Sequence, residues 1–520
     1  MVFFTISSGW KCRNEGMQGL PGLLFLLREP GSLHLTFAKT GPGWQDGVVF
    51  PIMIPPINLF LLMVVSAALY HAALWVEPAA VWLTAGSAAA LAAMVKAKTA
   101  RRAFYAGIGA ALLVIVPQLW FLTGIFSVVA VPLWLSLALW TGLFCGTLHV
   151  VYRKLGVAWT LALSPVLWMG LEFYRSEVWL LRFSWLGPGY ALPAGEMGWL
   201  FQSLGVYGSG ALLVMAGTAL VLLKKRVWAA GVFLIVPFLL LPGQRTAETR
   251  GSVRITGVQF ENTSSLQMMR GLKAARHAYP DTQVFFLPEY SFGGPVPEYF
   301  TDWCREHRCW LVAGGKQYLT NQNDRNGGPA YYNTAFVIGP EGTEVHQQAK
   351  AQPIQFFDDG LPAPRQDVWD SPWGKFGICI CYDQNYTSIT DPLADQQMQV
   401  LLIPTLDLEI WGAHQHWLSA KLASTRAAEY GVPLLRLASS GISQFLDSHG
   451  KVLSSGSMPG QGEIVTAVIE PSAKPRKPWD RLPARMTMFP AGLLIFGALA
   501  TSFVDERRRL AQRKAGAGQI

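Results

Sequence analysis

The chain has 520 residues, of which 51% are hydrophobic and only 14% charged, with a mean hydropathy of +0.27. Soluble domains are usually about a quarter charged, so this composition excludes an ordinary soluble protein and points to a membrane protein with room for two or more domains. The net charge of +9 accompanies no nucleic-acid motif; in a membrane protein such an excess reports cytoplasmic loops, which excludes nucleic-acid binding as the main task.

Residues 1–50 are expected to form an N-terminal extension of unknown role. The stretch GLPGLLFLL within them is too short to span a bilayer, and no clean cleavage site follows it. From about residue 55 apolar segments come in series, near 56–76, 79–95, 103–123, 127–151, 156–174, 197–223, 227–243 and 486–504. Each approaches the roughly 20 residues that a bilayer core requires, so about eight spans are expected.

Basic residues cluster in every second connection. Lys96, Lys98, Arg101 and Arg102 follow the second segment, Arg153 and Lys154 the fourth, Lys224, Lys225 and Arg226 the sixth, and Arg507, Arg508 and Arg509 the last. The positive-inside rule makes these connections cytoplasmic. It thereby puts residues 245–482 outside the cytoplasm. The expected domains are an extension (1–50), a bundle of about seven spans (51–244), an extracytoplasmic domain (245–482), and a closing helix with a basic tail (483–520). The bundle can pack on its own domain, so a monomer is expected.

The outward loop Leu171–Leu192 is rich in Trp, Phe and Tyr. Such aromatics are ordinary anchors at a membrane boundary, and also candidates for handling an apolar substrate. In the segment 245–482, strand patterns recur at regular intervals. Helical patterns lie between some of them, the clearest being HQHWLSAKLASTRAAEYG, which Gly431 stops. Mixed strands and helices over this length predict a layered α/β domain.

The chemistry concentrates in three places. The apolar run Phe376–Ile380 leads straight into Cys381-Tyr382-Asp383, which suits a nucleophile at a strand-to-helix turn, near amide donors that favour a thiolate. VFFLPEYSF is an apolar strand ending on Glu289, and YYNTAFVIGPEGTEVHQQAK reads as strand, turn and strand before Lys350. Lys316, in GGKQY, also follows an apolar strand and rivals Lys350. His414 and His416 suit polar contacts at a helix start better than a Cys-His pair, and Arg426 and Glu429 suit an ion pair or a scaffold contact.

The six cysteines, Cys12, Cys145, Cys304, Cys309, Cys379 and Cys381, form no paired metal pattern. Cys304 and Cys309 can pair in an oxidising compartment or remain free thiols. Cys379 and Cys381 are expected to face opposite ways, so only one can serve a given pocket.

The order Glu289, Lys350, Cys381 resembles the nitrilase superfamily, whose Glu-Lys-Cys triad forms and resolves acyl-thioesters and whose domain is an α-β-β-α sandwich. WMGLEFYRSEV and FSWLGPGY in the bundle, with LPEYSF, ICICYD and the long stretch from His414 to Leu453, narrow the resemblance to the apolipoprotein N-acyltransferases. The resemblance covers roughly residues 105–500. It implies a polytopic α-helical bundle joined to a nitrilase-like α/β domain in a bacterial inner membrane. It further implies acyl transfer from a phospholipid, through a cysteine thioester, to the N-terminal amine of a diacylated lipoprotein.

On that resemblance Cys381 is the nucleophile, Glu289 the general base and Lys350 the oxyanion stabiliser, with no metal or organic cofactor. Asp358, Tyr382, Asp383 and Trp411 are supporting candidates. Glu172, Arg175, Phe183, Trp185 and Tyr190 are candidates for the lipid and substrate loop. The chain departs from the family pattern at AQPIQFFDDG (351–360), and at PTLDLEIWG (404–412), where Asp407 and Glu409 are unusual. A membrane-tethered carbon–nitrogen hydrolase, an acyltransferase with another acceptor and a catalytically silent scaffold therefore stay open.

Overall fold

A computed structural model describes residues 23–29, 32–37, 49–53, 58–223, 251–323, 327–460, 462–473 and 475–517. Contacts divide the chain into two units, Met1–Leu59 and Phe60–Ile520. In the first, β1 (Leu23–Glu29), β2 (Ser32–Phe37) and β3 (Val49–Met53) form an antiparallel sheet. The apolar run that is too short for a span thus pairs as a strand.

The second unit opens with apolar helices: α1 (Leu59–Trp75), α2 (Ala80–Ala93), α3 (Ala100–Gln118), the short α4 (Leu122–Phe126), α5 (Ala130–Phe173) and α6 (Ala194–Leu222). Five helical segments are long and apolar enough to cross a membrane among the described residues: Glu77–Lys96, Ala100–Gln118, Leu122–Val178, Ala194–Leu222 and Arg481–Gln512. The fourth and fifth expected spans are the two halves of α5. They meet at Gly156, whose φ of +84° an L side chain rarely adopts, so the helix breaks there. α1 is shorter, at 17 residues. The third expected span ends early, at Gln118, a polar residue inside the apolar run, and the chain resumes as the short α4. Gln118 bonds His71 of α1 and His414. The expected span 227–243 and the basic Lys224, Lys225 and Arg226 lie outside the described residues.

Beyond the bundle come β4 (Val253–Val258), α7 (Ser265–Ala278), β5 (Val284–Phe286), α8 (Glu298–His307), β6 (Trp310–Asn323), β7 (Pro329–Ile338) and β8 (Glu344–Ala349). They are followed by β9 (Trp369–Ser371), β10 (Gly374–Ile378), α9 (Thr387–Asp395), β11 (Val400–Thr405), α10 (Ala413–Tyr430), β12 (Leu434–Ala438), β13 (Gln444–Leu446), β14 (Val452–Ser455), β15 (Ile464–Ile469) and the closing α11 (Arg481–Ala517). The strands build two six-stranded sheets, ordered β15-β4-β5-β6-β7-β8 and β14-β13-β12-β11-β10-β9. Each is parallel at its centre, β4-β5-β6 and β10-β11-β12, and antiparallel outside.

Strand alternation sorts the side chains into layers. Val284 and Phe286 point inward to meet Ile378, Leu402 and Leu435 of the other sheet. Between them, Phe285 points outward to Met269 and Leu272 of α7 and to Trp303 of α8. Leu401 and Ile403 likewise point outward to Leu393 of α9 and Ala423 and Ala427 of α10. Helices therefore cover both outer faces, which makes the α-β-β-α sandwich.

The sandwich meets the bundle through buried polar groups. Glu177, in the turn after α5, accepts bonds from Thr387 N and Oγ1 (both 2.8 Å) and Ser388 Oγ (3.0 Å), and so caps α9. Tyr207 of α6 donates to the same carboxylate at 2.9 Å. Asp480 accepts from the amides of Tyr207 and Gly208, and Glu429 of α10 accepts from Val206 N. On the bundle side, Gly170 lies so close to α11 that a Cβ would fall 2.4 Å from Thr487 O, which is the small-residue packing usual between spans. Phe489 and Phe496 of α11 are 74% and 73% exposed, an apolar stripe that suits lipid and not water.

Candidate active site

Strands β10 and β11 run parallel, and the site lies beyond their carboxyl ends, where open α/β sheets place ligands. β10 stops at Ile378, and the chain turns through a short 3-10 segment, Cys381–Asn385. Cys381 has φ +50°, which is uncommon for a residue with a side chain and often marks a strained functional position. On an unbroken strand, Cys379 and Cys381 would share a face. The turn is what separates them: Cys379 packs outward with Tyr386 and Leu393, and Cys381 lies on the inner side. The Cys381 sulfur is 3.7 Å from Leu406 O, and the residue is 7% exposed.

Glu289 leaves the end of β5. Gly314 lets its backbone approach, since a Cβ there would fall 2.6 Å from Glu289 Cα. Lys350 follows β8, with its amide on Asn333 O. Its Nζ is 2.8 Å from Glu289 Oε1 and 2.7 Å from Asp359 Oδ2. Asn333 Nδ2 donates to Glu289 Oε1 (2.6 Å) and Asp359 Oδ1 (2.9 Å), and Leu406 N donates to Glu289 Oε2 (2.6 Å). Two of the three Lys350 N–H groups are thus directed to carboxylates, and the third has no partner among the described residues.

The aspartate that the fold sets against Lys350 is Asp359 and not the expected Asp358. Asp358 is exposed, with only its backbone oxygen held by Tyr331. Asp359 is buried and also accepts from Tyr290 OH (2.7 Å) and Ile354 N (2.7 Å). The loop turns between two adjacent aspartates, so one-residue spacing decided which one faces inward. Asp383 has another task. It accepts from Gln352 N (2.7 Å), Ala351 N (3.1 Å) and Ile380 N (3.1 Å), and so ties the Lys350 loop to the cysteine turn.

The electrostatics follow from burial. It pushes the Cys381 thiol well above its ordinary value, with the nearby Glu289 adding to this and Lys350 opposing it. Burial also raises Glu289, against the pull of Lys350. Lys350 is desolvated as well, yet Glu289, Cys381 and Asp359 together hold its ammonium well above the ordinary lysine value. Asp359 resists its own burial because Lys350 holds it below the ordinary aspartate value. Burial lifts Asp383 to about 6, with Lys350 and the three amides opposing. Burial thus favours the thiol form of Cys381, beside a Lys350 ammonium held between the carboxyl groups of Glu289 and Asp359.

The aromatic loop clamps this turn from the bundle side. Arg182 O accepts from both Tyr382 OH (3.3 Å) and Tyr386 OH (3.0 Å), and Trp185 Nε1 donates to Asn385 Oδ1 (3.1 Å). Arg182 also donates to Gln352 Oε1 (2.7 Å). Between loop and turn lies an apolar cavity of about 150 Å³. Its walls include Ile125 and Phe126 of the α4 region, Leu137 of α5, Phe183 and Trp185, Phe356 and Phe357, and Tyr382 and Trp411. The departure from the family pattern at 351–360 therefore contributes to the cavity, whereas 404–412 supplies only Trp411 and not the unusual Asp407 and Glu409.

Of the loop candidates, Phe183 and Trp185 line this cavity and three others do not. Glu172 is buried under the following turn and bonds Trp168, Arg175 bonds Trp185 O, and the Tyr190 hydroxyl accepts from Arg426. Arg426 pairs with Glu429 and also holds the carbonyls of Gln384 and Asn385, just after the cysteine. Asp407 pairs with Arg436 behind the site. Lys316 stacks 4.0 Å over the Tyr331 ring and 5.6 Å from the Tyr290 ring, and forms no ion pair with Glu289 among the described residues. His414 bonds Gln118 and His416 bonds Leu408 O at the start of α10. Cys304 and Cys309 are buried free thiols. The residues that sequence reasoning missed are Asp359, Asn333 and Glu177. A polar Asn inside the apolar strand YYNTAFVI was a usable signal; the other two were not visible without the fold.

The description of the carbon–nitrogen hydrolases matches residues 266–473, and that of the apolipoprotein N-acyltransferase N-terminal domain matches residues 46–219. Among curated proteins, the chain is similar to the deaminated glutathione amidase of Dictyostelium discoideum, 28% identical over 31% of this chain and 60% of that protein. It is similar to the apolipoprotein N-acyltransferase of Bdellovibrio bacteriovorus, 24% identical over 35% of this chain and 39% of that protein. These two matches each span less than two thirds of the relative's length. A longer match joins 79% of the chain to 88% of the apolipoprotein N-acyltransferase of Pseudomonas paraeruginosa, at 25% identity.

Proposed function

We propose that this chain, which belongs to the apolipoprotein N-acyltransferase family of carbon–nitrogen hydrolases, moves an acyl chain from a phospholipid to the N-terminal amine of a diacylglyceryl-cysteine lipoprotein. The observation that carries this reading is the apolar cavity beside the cysteine turn, walled by both bundle and sandwich. An amidase acting on a water-soluble substrate has no need of a wall made from membrane spans. A two-tailed lipid does, because it must enter from the bilayer.

In this reading Glu289 takes the Cys381 proton as the sulfur attacks the ester carbonyl of the phospholipid. The Lys350 ammonium, its charge secured by Glu289 and Asp359, faces the oxyanion. Collapse expels the lysophospholipid alkoxide, which takes the proton back from Glu289 and leaves the thioester. The lipoprotein amine then attacks the thioester, Glu289 accepts its proton and returns it to the sulfur, and an amide is released. Binding of the acyl chain in the cavity fixes the carbonyl beside the sulfur, so part of the entropy is lost before the chemical step.

The same reading takes residues 51–244 as the bundle, 245–482 as an extracytoplasmic catalytic domain, and 483–520 as the closing helix and tail. It sets the whole in a bacterial inner membrane with about eight spans, as a monomer. The likeness to a deaminated glutathione amidase favours a second reading, in which water takes the acyl group.

Intact-protein mass spectrometry after incubation with mixed phospholipids separates the two. The expected result is a gain of one acyl chain, absent in Cys381→Ala, which a diacylated lipopeptide removes while gaining an amide. An adduct that the lipopeptide ignores and water clears would establish the hydrolase instead. No adduct with any lipid would overturn both.

A further inference from the structure

A second cavity, of about 470 Å³, lies at the opposite ends of the spans. Its walls are the start of α3, α5 just before the Gly156 break, and the far part of α11. α3 fixes its depth. The helix starts in this cavity at Ala100–Arg101 and ends at Gln118, which bonds His414 of the sandwich. Its 19 residues, at about 1.5 Å each, span roughly 28 Å, which is one bilayer core. The cavity and the catalytic cysteine thus lie near opposite surfaces of the membrane-spanning unit.

The lining is basic. Lys98, Arg101, Arg153 and Lys154 face it, against Asp505 and Glu506. Lys154 is paired with Asp505 at 3.1 Å, whereas Lys98, Arg101 and Arg153 form no ion pair among the described residues. Thr99 Oγ1 caps the Arg102 amide, so the first turn of α3 offers the amides of Ala100 and Arg101 and the positive end of its dipole. A separate observation concerns His149, which lines the cavity and is 6% exposed. Its Nδ1 lies 2.7 Å from Val95 O and donates there, so in the neutral ring Nε2, which has no partner among the described residues, is left as an acceptor for a headgroup hydroxyl. Ala100, Val150 and Leu510 supply an apolar wall beside the cations. Cations for the phosphate, an imidazole acceptor for a headgroup hydroxyl and an adjoining apolar wall between spans match a phosphate ester carrying an apolar stem.

We propose that this cavity binds the phosphate of an anionic phospholipid headgroup in the leaflet remote from the catalytic domain. The inference rests on the membrane-spanning reading but not on the acyl-transfer chemistry. Basic side chains near a membrane surface attract anionic lipids, and a preformed cavity converts that attraction into a site.

The test is native mass spectrometry of the full, delipidated chain in detergent. It is titrated with phosphatidylglycerol, with phosphatidylcholine of the same acyl chains, and with inorganic phosphate. The wild type is expected to retain phosphatidylglycerol at about tenfold lower concentration than phosphatidylcholine, and Arg101→Gln/Arg153→Gln is expected to lose that preference. Lys98→Gln, an exchange at an exposed position, serves as a second variant with a smaller expected loss. Formation of the Cys381 adduct should be unchanged in both. A preference that survives the substitutions, or no preference in the wild type, overturns the proposal. So does displacement of the lipid by inorganic phosphate, which would make this a free-anion site. Loss of the preference together with the Cys381 adduct would trace it to the catalytic site, and also overturns it.

Discussion

Lys350 bonds two carboxylates at once, Glu289 and Asp359, and the two have different tasks. Glu289 also faces the Leu406 amide beside the cysteine, whereas Asp359 is held by Tyr290, Asn333 and Ile354, away from it. Asp359→Asn is expected to slow thioester formation by about a hundredfold, since it removes the charge that keeps Lys350 cationic and aimed. Asp358→Asn should stay within about twofold of wild type. Adduct mass against time measures both, and equal effects would remove the distinction. Asp359 is held below 3.8, so its contribution to stability is present above its unfolded value and lost as pH falls through the folded one. Lys350 is held above 10.5, so its contribution persists until pH rises past that. Between those limits the Lys350–Asp359 pair is constant, and rate changes belong to Glu289, Cys381 and Asp383, the last lifted by burial to about 6, so Asp383→Asn should leave a Glu289 limb in place. Glu289 sits above 4.5, so the acid limb of thioester formation should centre above that value and fall with decreasing pH as the base is protonated. A limb at or below 4.5 would assign the proton transfer elsewhere.

α9 begins with Thr387-Ser388, and its first amides are satisfied from a distant turn by Glu177, which also takes the Tyr207 hydroxyl. One carboxylate thereby joins α6, the turn after α5 and the helix that follows the nucleophile. Glu177→Ala leaves buried donors unpaired, which costs about 2 kcal/mol or more. In hydrogen exchange, the amides of 387–395 should exchange roughly thirtyfold faster, with strands β4–β6 unchanged. Unaltered exchange at α9 would mean that the cap contributes nothing. α5 makes a similar point about elements: its composition reads as two spans, but only the positive φ of Gly156 separates them.

At the scale of the molecule, the cavity exists only where two layers meet. Ile125 and Leu137 come from the bundle, Phe356, Phe357 and Trp411 from the sandwich loops. Ile125→Trp fills part of this space and is expected to shift the acyl adduct on Cys381 to shorter chains, with little change in the rate for short ones. An unchanged distribution of adduct masses would show that the acyl chain lies elsewhere.

The sequence alone determined the apolar bundle and the layered α/β domain, for physical reasons that are local. Charge depletion and 20-residue apolar runs read as spans because a bilayer excludes unpaired polar groups. Alternating strands and one periodic helix read as a layered α/β domain, and the family resemblance narrowed that to a sandwich and pointed to Glu289, Lys350 and Cys381 at the ends of apolar strands. Tertiary structure decided whatever depends on which residues meet. It chose Asp359 over its neighbour Asp358, assigned Asp383 to a tie between two loops, and moved Glu172, Arg175 and Tyr190 from the substrate loop into packing. It also closed the cavity, whose walls lie more than 200 residues apart in the chain (Phe121 to Trp411) and are brought together by the fold.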